Sequence, residues 1–156
     1  MAIKYRRLRL DELEELEKEF IEFLAVHSIT GPDWELLTRT NPQKVNEMVD
    51  LFSDVVMDKV LDKIKCLQFR EPNEWKVFHL EKEQIHLIGL QTPENSSIDL
   101  TKRVTSDELV DGGVEIYEAE KAYTKERNLE IFEMIDNGAQ MAEEALYYQM
   151  KQLLGE

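Results

Sequence analysis

A single cysteine, Cys66, stands in the chain of 156 residues. No intramolecular disulfide can form, so the fold must be held by its core alone. Basic residues are scarce: 19 against 33 acidic ones, a formal net charge of -14. Such a field repels phosphate backbones and anionic lipid, which argues against nucleic acid and membrane surfaces as partners. No stretch approaches the ~18 apolar residues of a membrane span. Met1-Ala2-Ile3-Lys4-Tyr5-Arg6-Arg7 lacks the apolar segment of a signal peptide, so the expected compartment is the cytoplasm. Catalytic signatures are missing as well. There is no GxxxxGK or GxGxxG phosphate loop, no GxSxG elbow and no HExxH pair. The Glu-x-x-His pattern of di-iron helices fails too, because His27 is the one histidine on a helical pattern and Leu24 stands where the glutamate belongs. No cofactor is expected, and the reading leans away from an enzyme.

What is present suits one folded domain: 42% hydrophobic and 33% charged residues. Leu13, Leu16, Phe20, Phe23, Leu24 and His27 recur at helical spacing behind Asp11, which predicts a helix from Asp11 to His27 stopped by Gly31-Pro32. A short helix with Trp34 and Leu37 as its anchors follows. Asn41-Pro42 is a strong start signal, and Val45, Met48, Val49, Phe52, Val55, Val56, Val60 and Ile64 carry an apolar face onward from it. The spacing then falls to two. Turns at Glu71-Pro72-Asn73-Glu74 and at Lys82-Glu83 predict a three-stranded antiparallel meander. Thr92 to Gly113 is expected to be a long loop with one helical turn near Ser106, either a lid or a plain connection.

Charge is uneven along the chain. Lys4, Arg6, Arg7 and Arg9 make a basic arm without an acid, and the rest is acidic. The arm is expected to pair with nearby carboxylates of its own chain rather than with a neighbouring copy or a separate anion. The run Tyr5-Arg6-Arg7-Leu8 into Leu13-Glu14-Glu15-Leu16-Glu17-Lys18-Glu19-Phe20, then Trp34, then Leu51-Phe52-Ser53-Asp54-Val55-Val56, then Lys76-Val77-Phe78-His79 resembles a family of small acidic proteins of unknown function from Bacteroidota. That resemblance implies a bacterial cytoplasmic origin and brings no activity, cofactor or site residue with it.

All four prolines precede Val114. Beyond it, one stripe runs Phe132, Ile135, Ala139, Ala142, Leu146, Gln149, Leu153 and another runs Ile131, Met134, Gly138, Met141, Ala145, Tyr148. Read as one helix over 114–154, this segment would be about 60 Å long, against a diameter of about 40 Å for a globule of this size. Asp136-Asn137-Gly138 is the candidate break, but the apolar spacing passes through it without a phase slip. The expectation is therefore a projecting helix, with the first stripe as the seam of a two-fold homodimer.

The meander offers the one cluster with chemical potential. Its turns pair Cys66 with His79 and His79 with His86, with Glu81 and Gln84 adjoining. A thiolate and two imidazoles form a known zinc set. The spacing lacks CxxC or HxxxH, and a buried cysteine and sheet histidines more often serve packing and hydrogen bonding. Tyr117, Tyr123, Tyr147 and Tyr148 read as packing and interface residues, and Trp75 with Arg70 reads as packing ahead of a peptide- or small-ligand-binding sheet face. The sequence thus predicts an α+β fold with N-terminal helices, a three-stranded meander and a long C-terminal helix. Its function reads as a non-enzymatic, self-associating protein-interaction domain, with metal or small-ligand binding at Cys66, His79 and His86 as the alternative.

Overall fold

The computed structural model describes residues 3–155. The chain divides into two compact units, one reaching to Val60 and one beginning at Leu61.

The first unit is helical. The predicted single helix is two: α1 (Leu10–Glu15) and α2 (Glu17–Val26), separated at Leu16. Arg9, not Asp11, stands at the N-cap, and the Glu12 carboxylate reaches back to the Arg9 amide at 2.9 Å. Hydrogen bonds from the Arg6 side chain and then the Arg9 amide hold that carboxyl at a pKa of about 2. α2 stops before Gly31-Pro32. Ser28 takes the left-handed conformation at φ 62°, and the Ser28 and Ile29 amides close onto Ala25 O and Leu24 O at 2.9 and 2.8 Å. This is a helix-ending motif in which glycine is the usual occupant. Gly31-Pro32 instead opens α3 (Gly31–Thr40), whose cap is Thr30. Asn41 caps α4 (Pro42–Lys63) through its side chain, with the Lys44 amide at 3.1 Å.

The basic arm settles on its own unit. Lys4 and Tyr5 amides donate to the Asp54 carboxylate at 2.9 and 3.1 Å. The Tyr5 hydroxyl donates to Asp58, and Arg7 meets Asp50 at 2.6 Å. Asp50, Asp54 and Asp58 recur every four residues, so α4 offers a rail of carboxylates along one face. Phe20, Phe23, Trp34 and Phe52 form the aromatic centre of this unit, with centroids 4.9 to 6.3 Å apart.

The second unit is built on the sheet. β1 (Cys66–Arg70), β2 (Glu74–Leu80) and β3 (Gln84–Gln91) form the expected meander in the expected register, with Arg70 opposite Trp75, Cys66 opposite His79 and His79 opposite His86. The loop after β3 is anchored. Leu100 is fully buried and its amide donates to Pro72 O at 2.8 Å. Arg70 lies 3.8 Å over the Trp75 ring and donates to the Leu100 and Lys102 carbonyls. One short helix, α5 (Ser106–Asp111), follows.

The long C-terminal helix does not form. Its span holds β4 (Glu115–Ala122), α6 (Arg127–Asp136), β5 (Gln140–Met141) and α7 (Glu144–Gln152). The sheet therefore has five strands, all antiparallel, in the order β4-β3-β2-β1-β5. Two physical reasons account for the correction. β3 carries buried residues on both faces (Ile85 on one, Ile88 and Leu90 on the other), and its outer backbone groups need partners; β4 supplies them from Gln84 opposite Ala122 to Gln91 opposite Glu115. Gly138 then takes φ +108°, and the Gly138 and Ala139 amides close onto Ile135 O and Met134 O at 3.0 and 2.9 Å, which ends α6.

One sheet face packs with α5 and α7 around Cys66, Val77, Ile88, Leu90, Leu100 and Met150. The opposite face carries buried Leu67, Leu80 and Ile85. Among the described residues no helix is long and apolar enough to cross a membrane.

Candidate functional site

Strand alternation puts His79 and Glu81 on the α7 side of the sheet, and the β2–β3 register places His86 beside them. The turn at Lys82-Glu83 is closed by the Glu81 amide on Gln84 O at 3.0 Å, which carries Glu81 to the end of the row. β4 adds Glu120 opposite His86. α7 lies across this end of the sheet and contributes Glu144, Tyr147, Tyr148 and Lys151.

Five side chains form a continuous row, Glu144, His79, Glu81, His86 and Glu120. His79 Nε2 is 2.7 Å from a Glu144 oxygen and His79 Nδ1 is 3.2 Å from Glu81 Oε2. The same Glu81 oxygen is 3.1 Å from His86 Nε2, and His86 Nδ1 faces Glu120 at 3.5 Å. The Gln84 amide nitrogen also approaches His86 Nε2, at 3.0 Å. The His79 ring stacks on Tyr147 with centroids 4.5 Å apart and an interplanar angle of 11°. Tyr148 stands edge-on to both rings and is half exposed. His79, Glu81, His86, Glu120, Tyr147 and Tyr148 border an open cleft of about 730 Å³ that Glu118 and Lys151 also line.

The donor arithmetic of this row is restrictive. A neutral imidazole donates through one nitrogen only, whereas an imidazolium donates through both. Each histidine faces a carboxylate at both nitrogens, so with both rings neutral two of the four contacts have a proton and two do not. Carboxylate oxygens that face no ring nitrogen can accept from an incoming donor that carries positive charge.

Of the predicted zinc set, His79 and His86 line the cleft, whereas Cys66, opposite His79 in the β1–β2 register, lies beneath the surface. Cys66 is fully buried within the apolar cluster and does not line the cleft. Burial pushes its thiol up to about 11. Among the described residues no group of three or more His, Cys, Asp or Glu side chains could hold a metal ion.

The predicted seam residues are distributed over several elements. Phe132 and Ile135 are half-buried on α6, Ala139 is buried in the turn after it, and Ala142 lies between β5 and α7. Leu146 and Leu153 fall in and just after α7, and with Ala142 they pack against the apolar cluster of their own unit. One helical stripe joining all six does not exist. Sequence reasoning missed Glu120 and Glu144 because a 114–154 helix hid both the strand register and the return of α7 over the sheet. The alternation Ile116, Glu118, Glu120 against Tyr117, Ala119, Lys121 was the available signal.

The molecule is thus an α+β protein whose five-stranded antiparallel sheet, with α7 across one end, forms a histidine–glutamate cleft. Residues 1–155 match the model of a family described as a family of unknown function (DUF6495), and the chain belongs to that family. No curated protein and no solved structure matches it.

Proposed function

We propose that this protein is a non-enzymatic small-ligand-binding domain whose cleft takes a cationic group. The observation that carries the reading is Glu81 held between His79 and His86 in the lining of an open cleft. The volume falls within the range of about 300–1,000 Å³ common to small-molecule sites. The lining holds Glu81, Glu118 and Glu120 against Lys151 alone among lysines and arginines, with Glu144 behind His79, so a cation is the matching charge. The Tyr147–His79 stack and the exposed Tyr148 ring add aromatic surface on which an ammonium or guanidinium gains a cation–π contact. Catalysis is disfavoured because both nitrogens of each imidazole already face partners, leaving no ring nitrogen aimed at a substrate.

Calorimetric titration with butylammonium, N-methylguanidinium and tetramethylammonium, with acetate as the anionic control, tests this reading. Saturable binding of at least one cation, lost in Glu81→Gln, is expected. Equal response to acetate, or binding unchanged in Glu81→Gln, contradicts it.

Self-association through the C-terminal elements is a second reading. It draws support from exposed apolar groups there, Met141 at 68% and Tyr148 at 50%. Light scattering on the wild type and on Met141→Glu is the check: a dimer mass that falls to monomer in the variant supports it, and a monomer in both rejects it.

A further inference from the structure

We propose that Arg127 and Tyr123 are positioning residues that fix Glu81 between the two imidazoles and thereby set the cleft's affinity for its cation. This inference rests on the binding reading above and extends it to residues outside the cleft. Glu81 lies just past the end of β2, at the entry to a tight turn. Its carbonyl is captured from two sides: the Tyr123 hydroxyl donates to it at 2.6 Å and Arg127 Nε donates at 3.2 Å. Arg127 commits every other N–H as well. One terminal nitrogen donates to Leu61 O at 3.2 Å and Asn128 Oδ1 at 2.9 Å, and the other to Ile64 O at 2.7 Å and Leu80 O at 3.2 Å. A single planar guanidinium therefore ties the end of α4, the end of β2 and the Glu81 peptide to the start of α6. Neither Arg127 nor Tyr123 lines the cleft that holds His86 and Tyr148. Their effect on it passes through the Glu81 backbone. The two contacts from Glu81 Oε2, at 3.2 and 3.1 Å, leave little room for displacement before one imidazole loses its carboxylate.

The test uses Tyr123→Phe, which keeps the ring and removes the donor, and Arg127→Lys, which keeps the charge and removes the fork. Histidine-labelled protein is titrated with acid by NMR, and N-methylguanidinium affinity is measured by calorimetry. Displaced titration midpoints for His79 and His86 in both variants, with His27 unmoved, are expected. They should accompany a loss of affinity of about threefold or more, the order of one lost hydrogen bond. A merely structural role would lower the thermal midpoint and leave the imidazole titrations in place, and that result overturns the proposal. Should Arg127→Lys fail to fold, Tyr123→Phe decides by the same titrations. If the wild type binds no cation, the binding reading fails by itself, and the His79 and His86 midpoints still support or overturn the clamp.

Discussion

Proton count decides how many contacts the row from Glu144 to Glu120 can make at once, and this is a property of individual residues. His79 is the most constrained, with 13% of its side chain exposed and carboxylates at both nitrogens. Replacing it with Gln removes the stack on Tyr147 and one carboxylate contact, and thermal melts should show a loss of about 1–2 kcal/mol. Cys66 gives a sharper pH prediction. Its folded pKa of about 11 lies above its ordinary 9.0 because burial penalises the thiolate. Between these values the folded chain holds a proton that the unfolded chain has released, so stability is lost as pH rises through that window. Urea midpoints measured across it should fall, and fall less in Cys66→Ala. At neutral pH iodoacetamide should label Cys66 only after unfolding. Ser28 carries strain at φ 62°, so Ser28→Gly should stabilise the fold by about 1 kcal/mol in urea denaturation.

At the scale of elements, the parts with local rules were readable and the parts decided by tertiary demand were not. Turn chemistry at Glu71–Glu74 and Lys82-Glu83 fixed the meander register, because a one-residue slip would turn Val77 and Leu90 out of the core. The Asn41-Pro42 start of α4 obeyed its capping signal. The segment after Val114 misled because Glu, Ala and Lys are good helix formers, while β3's need for a partner strand lies outside any local window. The unbroken phase from Ile135 to Ala139 was equally deceptive, since both residues find cover in the chain on either side of a helix stop. Gly138 is the test of that stop. A Cβ there would meet only Phe69, at 3.8 Å, so space is available and the cost of Gly138→Ala is conformational: about 1–2 kcal/mol by chemical denaturation. Gly89 is the opposite case. It lies opposite Tyr117 with the ring across it, so a side chain at Gly89 must displace Tyr117. Gly89→Val should loosen the β3–β4 edge, seen as faster amide exchange along β4.

For the whole molecule, the net charge of -14 is the governing quantity. Self-repulsion opposes compaction, and added salt screens it within about 10 Å at 0.1 M. Thermal stability should therefore rise from low to physiological ionic strength, while the cleft's affinity for a cation falls over the same range. Opposite signs for the two responses separate general screening from occupancy of the site. Composition announced the acidic field, but not its concentration at one end of the sheet, which depends on β4 and α7 converging from distant sequence. The chain's three histidines provide the most direct measurement of the central claim, because His79 and His86 border the cleft and His27 belongs to α2's end. Histidine-selective NMR during titration with N-methylguanidinium should move the His79 and His86 ring signals saturably and together, leaving His27 in place. Signals that stay fixed, or three histidines drifting alike without saturation, would contradict a cation site in the histidine–glutamate cleft.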